Sequence, residues 1–288
     1  MKVVYTIEEL RKQIKEWKKE GQQIGFVPTM GFLHEGHTSL MKCARENDKV
    51  VVSIFVNPIQ FCEGEDLLQY PRDLEHDLAL CEKEQVDLVF APSDEEMYQL
   101  NFCTYVDMTQ LTNELCGLSR PGHFRGVCTV VSKLFHLVTP DKAYFGEKDA
   151  QQLAVIRRMV NDLNMDLTVV GCPIIREQDG LAKSSRNVYL NTKEREAALV
   201  LNRSLNQAVR QISDGCHSSK EIIEVICNEI KKEKLAKIDY VKVVDADLIR
   251  PIDQINGHVL IAIAVLIGKT RLIDNRIIQV DMERSYEH

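Results

Sequence analysis

The feature that most constrains the fold is KVVVSIFV at residues 49–56, a β-branched run set between two stretches with helical spacing. Apolar at nearly every position, it suits a strand buried on both faces, as in a parallel sheet covered by helices. The same unit recurs along the chain. Thr6-Ile7-Glu8-Glu9 has the form of a capping box, opening a helix through about Lys19 that Gly21 closes. A short strand at 24–27 and a helix at 36–47 precede the run. Helices at 72–84, 126–138 and 149–163 and strands at 86–90, 142–145 and 167–172 follow it. Such alternation implies right-handed crossovers, with ligands outside the carboxyl ends of the strands.

After about Leu181 the pattern changes to two amphipathic helices, 193–212 and 219–234, and then to strand-like runs at 240–244, 259–266 and 271–280. The expected fold class is therefore α/β, a Rossmann-like parallel-sheet nucleotide-binding domain (1–183) followed by a smaller C-terminal α+β domain (184–288).

Charge and cysteines narrow the partners. A net charge of −7 over 288 residues argues against nucleic acid as the main partner, because such binders need a basic footprint. The longest apolar run, 259–267, is too short to span a bilayer. Nine cysteines, an odd count with no CxxC spacing, suggest reduced thiols in a cytoplasmic protein, mostly as small core residues.

Five segments at expected strand ends carry chemistry. In FVPTMGFLHEGHTSL (26–40), His34 and His37 flank Gly36 where a strand hands over to a helix, so backbone N–H groups and imidazoles can meet phosphates. In FVNPIQF (55–61), Asn57 and Gln60 offer uncharged amides suited to a hydroxy acid. RPGHFRG (120–126) has the composition of an anion trap at a helix start. In FGEKDAQQ (145–152), Gly146 permits close backbone approach and Lys148 can meet a phosphate. Asp149 can bind a ribose or simply cap the helix, with Gln152 one turn further on. DGLAKSSRN (179–187) places small hydroxyls, Lys183 and Arg186 in a loop able to follow a triphosphate. Taken singly, each can also be read as an ordinary turn, polar loop or linker.

Together, in order and spacing, PTMGFLHEGH, SIFVNPIQF, YPRDLEHD, RPGHFRGV, AYFGEKDAQQL, DGLAKSSRN and RLIDNR resemble the pantothenate synthetase (pantoate–β-alanine ligase) family. That family belongs to the adenylating nucleotidyltransferases related to class I aminoacyl-tRNA synthetases. The resemblance runs nearly end to end. It implies an ATP-binding loop at Met30, Gly31, Phe32, Leu33, His34, Glu35, Gly36 and His37, with His37 at the proton-donor position. It implies further ATP contacts at Gly146, Glu147, Lys148, Asp149 and Ile175, and a second phosphate loop at Lys183, Ser184, Ser185 and Arg186. Lys183 stands where many members carry Met or Leu, so the resemblance supports no side-chain role for it. Gln60 and Gln152 are implied as pantoate-binding amides, Gln60 also meeting β-alanine, and Asp77 falls in a region that helps hold Mg²⁺ in some members. The implied catalytic set is His34, His37, Lys148 and Arg186.

The implied reaction condenses pantoate with β-alanine through a pantoyl adenylate, with ATP and Mg²⁺ as co-substrate and cofactor. The C-terminal domain would act as a lid and the protein as a cytoplasmic homodimer. The rival readings are a nucleotidyltransferase acting on a phosphorylated acceptor, which has no reason to carry VNPxQF and GEKDxQQ together, and a non-catalytic binding protein, which would tolerate loss of the phosphate-contacting side chains.

Overall fold

The structure is a computed structural model that describes residues 1–281, so the last seven residues of the expected second domain lie outside it. In chain order the elements are β1 (Lys2–Val4), α1 (Ile7–Lys19), β2 (Ile24–Thr29), α2 (Glu35–Ala44), β3 (Lys49–Ile54), α3 (Leu74–Lys83), β4 (Leu88–Phe90), α4 (Asp94–Met97), α5 (Leu115–Ser119) and α6 (His123–Val138). They continue with β5 (Lys142–Gly146), α7 (Ala150–Asp162), β6 (Thr168–Cys172), α8 (Thr192–Ala197), α9 (Leu199–Ser213), α10 (Ser219–Ile230), β7 (Ala236–Asp245), β8 (Gly257–Ile267) and β9 (Thr270–Val280).

Two compact units result, and neither is one stretch of chain. The first collects Met1–Gln110, Arg120–Glu147 and Val155–Ile175; the second collects Leu111–Ser119, Lys148–Ala154 and the chain from Arg176 onward. The first holds a six-stranded, all-parallel sheet in the order β1-β4-β3-β2-β5-β6. The run at 49–56 supplies β3, with Val50, Val51 and Val52 all buried, as a strand covered on both faces requires. The second unit holds the antiparallel meander β7-β8-β9, whose inner face packs with α9 and α10 around Leu201, Leu205, Ile222, Ile226, Val243, Ile261 and Ile263.

Local signals set the boundaries. The Thr6 capping box forms as read: the Glu9 amide donates to Thr6 Oγ1 and the Thr6 amide to Glu9 Oε2, each at 3.2 Å, and Gly21 follows the helix at φ +73°. The long helix expected at 193–212 is instead two, α8 and α9. Ala198 between them keeps helical dihedrals while Leu201 N donates to Ala198 O, three residues back, so the hydrogen-bond ladder shifts there without a change of conformation. Strand β1 escapes the sequence pattern because three residues are too few to show a period; it exists by pairing with β4.

All nine cysteines are free; Cys81, Cys116, Cys128 and Cys172 are buried, half-buried Cys216 and Cys227 pack against the core of the second unit, and Cys43 and Cys103 are exposed. Burial pushes the Cys81 and Cys128 thiols up to about 12, which makes them packing residues and not nucleophiles. Among the described residues no helix is long and apolar enough to cross a membrane.

Candidate active site

In the six-stranded sheet the chain runs outward from β2 through β3 and β4 on one side and through β5 and β6 on the other. The strand order therefore reverses between β2 and β5, which pair directly, and open α/β sheets bind ligands beyond the carboxyl ends of the strands at such a point. Residues 30–37 leave β2 there, and Gly146 ends β5 with Glu147 following it.

The loop at 30–37 is held by its own chain. Thr29 Oγ1 donates to Ser53 O and accepts from Gly31 N. Gly31 and Phe32 are both left-handed, at φ +79° and +49°, and the Phe32 and Leu33 amides donate to the two oxygens of Asp77 at 2.8 and 2.6 Å. Only 1% of Asp77 is exposed; burial raises its pKa, against the pull of those two amides.

Beyond Leu33, His34 caps α2. Its Nδ1 accepts from Gly36 N at 3.1 Å, and its own amide donates to His37 Nδ1 at 3.2 Å, a reciprocal box made by two imidazoles whose centroids lie 4.1 Å apart. A ring nitrogen that accepts an N–H cannot carry the proton. Each neutral imidazole is thus fixed as the tautomer with Nε2–H, a donor suited to an anionic oxygen at the start of a helix.

Gln60 lies in the short turn Pro58–Gln60 and is buried. Its Oε1 accepts from Asn57 Nδ2 at 2.9 Å, and its Nε2 lies 3.0 Å from Met30 Sδ. Asn57 is not the ligand amide the sequence suggested. It is 1% exposed and fully occupied, with Nδ2 also reaching Gly126 O and Oδ1 accepting from the Tyr98 hydroxyl at 2.7 Å.

The anion trap read in RPGHFRG is likewise corrected, because each of its cationic or imidazole side chains has a protein partner. Arg120 forms a two-pronged pair with Glu65 at 2.5 and 2.6 Å, and Arg125 stacks 4.0 Å above the Tyr105 ring. His123 Nδ1 donates to the Gln60 carbonyl at 2.8 Å, with Arg120 Nη1 3.0 Å from its Nε2. Burial opposes the charge on Glu65, but the Arg120 hydrogen bonds and charge outweigh it and hold the carboxyl below its ordinary value. Gly126 lets α6 approach this turn: a Cβ there would collide with Ile59 O and the Gln60 backbone. The segment is a brace for Gln60.

In the second unit Lys148 and Gln152 are half-buried and Asp149 is exposed. The adjacent glutamines divide their labour. Gln151 is buried and ties down Leu111 O and Glu114 O, both at 2.8 Å. Asn275 Nδ2 donates to Lys148 O at 2.9 Å, giving part of the late RLIDNR motif a structural use. Ser184 caps the short turn Ser185–Tyr189, accepting from Arg186 N at 3.3 Å. Lys183 Nζ pairs with Glu177 at 3.0 Å. Arg176 forms a two-pronged pair with buried Asp274, both bonds 2.8 Å, and Arg195 pairs with Asp179. A pocket in this unit is lined by Lys148, Ser184, Asn187 and Asp274 among apolar neighbours. Ile175 is half-buried beyond β6 in the first unit.

The donor set does not fit a protein-held metal. Among the described residues no three His, Cys, Asp or Glu side chains gather to hold an ion, and both Asp77 oxygens are engaged by amides.

Residues 2–277 match the family model for pantoate-beta-alanine ligase. The chain belongs to the pantoate–β-alanine ligase family. A pantothenate synthetase of Ruminiclostridium cellulolyticum is 59% identical over 96% of this chain and 98% of its own length. The ligase-family structure from Thermus thermophilus, also a pantothenate synthetase, superposes with a TM-score of 0.90 at 46% identity, covering 96% of this chain and 99% of that one. A pantoate–β-alanine ligase from Francisella tularensis, solved with "beta-gamma ATP" and β-alanine, gives a TM-score of 0.79 at 35% identity, covering 96% and 97%. The parallel sheet with a smaller antiparallel-sheet unit is the architecture of this ligase family.

Proposed function

We propose that the protein joins pantoate to β-alanine at the expense of ATP, giving pantothenate, AMP and pyrophosphate, in the cytoplasm and as a homodimer. Family membership supports the overall reaction, and the nucleotide and β-alanine bound to the Francisella ligase support those two substrates. The observation that carries the site is the His34–His37 box, which puts the proton of each ring on Nε2 at the start of α2, beside the reversal of strand order.

In the first half-reaction a carboxylate oxygen of pantoate attacks the α-phosphorus and pyrophosphate leaves. This step needs positioning and compensation of spreading negative charge more than covalent help from the protein. His34, His37, Lys148 and Arg186 take that role, with the backbone of residues 30–37, 146–149 and 183–186 and Ile175 holding the nucleotide. Gln60 and Gln152 hold pantoate by its polar groups. In the second half-reaction the β-alanine amine, near Gln60, attacks the acyl carbon; AMP leaves and the amine loses a proton. Mg²⁺ belongs to this scheme as part of the nucleotide substrate, and the assignment of Asp77 to it rests on resemblance alone. The lid role of residues 184–288 belongs to the same proposal, since a closed site would spare the acyl adenylate from water.

Pyrophosphate should appear with ATP and pantoate alone, and AMP only after β-alanine is added. A product that keeps its AMP moiety would instead identify a plain nucleotidyltransferase. Replacing His37 or Lys148 by Ala should remove about 3 kcal/mol of transition-state stabilisation, roughly a hundredfold in kcat. Normal turnover in either variant would remove that residue from the mechanism.

A further inference from the structure

We infer that Asp77 is not a ligand for Mg²⁺ but a positioning residue, the resident anion of a backbone nest at residues 31–33 that fixes where α2 begins. Successive backbone N–H groups in a turn conformation that point to the same side make an anion-binding concavity. Gly31 and Phe32 are both left-handed, and the amides of Phe32 and Leu33 each take a different oxygen of the Asp77 carboxylate.

The fit is close. A Cβ on Gly31 would lie 2.9 Å from Asp77 Oδ2 and 3.0 Å from Ile54 Cγ2, so glycine is required there by space as well as by its φ. Phe32 is a bulky residue at positive φ, a conformation that persists only where its surroundings hold it. The carboxylate supplies that restraint from α3, almost wholly out of solvent at 1% exposure. An ion would have to enter a site only 1% open to solvent and share each oxygen with an amide already at hydrogen-bond distance. The exposed His76 imidazole, 3.6 Å from Oδ1, adds no anionic ligand.

The consequence reaches the chemistry by one residue. Leu33 is followed by His34, whose backbone and imidazole form the cap that orients His37. Fixing the Leu33 amide therefore fixes the direction in which α2 and both imidazoles start. An asparagine at position 77 has one acceptor oxygen and one NH₂ group, so either the Phe32 or the Leu33 amide would face a donor.

This inference rests on the reading of residues 30–37 as the phosphate loop, which wild-type pyrophosphate release and ATP binding test separately. With Asp77→Asn, the KM for ATP should rise about tenfold or more, while the Mg²⁺ concentration giving half-maximal rate at saturating ATP stays at the wild-type value. A shift of that Mg²⁺ requirement by tenfold with recovery in Mn²⁺, or wild-type kinetics in the variant, would overturn it. Should the variant fail to fold, wild-type crystals soaked in Mn²⁺ and ATP decide by anomalous scattering. Metal bound to the phosphates away from Asp77 supports the inference. A peak within about 2.1 Å of either Asp77 oxygen refutes it, that being the bond length of a small divalent ion to oxygen.

Discussion

Residues 30–37 are anchored by a buried carboxylate on backbone amides and by imidazoles that cap their own helix, whereas residues 176–187 are anchored largely by ion pairs between side chains. The difference is one of what fixes the backbone. In the first region the main chain itself is held, so imidazole direction follows from the fold. In the second the pairs Arg176–Asp274, Lys183–Glu177 and Arg195–Asp179 hold a turn through long side chains, and their strength depends on burial and salt.

The comparison can be broken most forcefully at Arg176. Its partner Asp274 has a side chain only 1% exposed, so Arg176→Met strands a buried carboxylate. The expected loss is about 3–5 kcal/mol, read as a lowered midpoint in denaturant melts. A loss below about 1 kcal/mol would mean that Arg276, 3.7 Å from the same carboxylate, replaces it.

Next comes Gly126→Ala, which drives a methyl into the Ile59–Gln60 backbone. About 1–3 kcal/mol of stability should go, and the KM for pantoate should rise more than the KM for ATP. Equal rises in both constants would detach α6 from the acid-binding side.

The carboxylates of the first unit differ in sign. Glu65 is held below its ordinary value of 4.5, so its contribution to stability is present above that pH and is lost as pH falls through the lowered value. Glu65→Gln should flatten the acid side of the melting-temperature profile. Asp77 is raised by burial, so stability it favours is complete below its ordinary value of 3.8 and is lost as pH rises through the raised one. A profile for Glu65→Gln that stays parallel to wild type would show that the Arg120 pair does not survive in solution.

The smallest effect is expected at Arg195, whose pair with Asp179 is open to solvent. Arg195→Ala should cost less than about 1 kcal/mol, and the cost should shrink in molar salt. A salt-independent loss would mean that the second turn is held by packing after all.

Legibility followed the range of the forces. The Thr6 box, the handover from strand to helix within 26–40 and the β3 run were readable because capping, turns and burial periodicity act within a few residues. Asn57 and the RPGHFRG loop were misread because their partners lie far along the chain: Tyr98 and Gly126 for Asn57, Glu65 and Gln60 for Arg120 and His123. Nothing near either segment says that its polar atoms are already spent. Gln151 and Gln152 are identical in type and adjacent, and only burial distinguishes the one that braces α5 from its half-buried neighbour.

By itself the sequence determined the alternating α/β architecture and the family, and it named candidate residues for a nucleotide and an acid, because periodicity and ordered motifs are local properties. The tertiary structure decided which polar groups are spent within the fold. It assigned Asn57, Arg120, His123, Gln151 and Asp77 to internal duty, and it set the proton on Nε2 of His34 and His37 by giving each Nδ1 a backbone amide. Hydrogen-bond saturation depends on partners brought from elsewhere in the chain, so only the folded molecule can settle it.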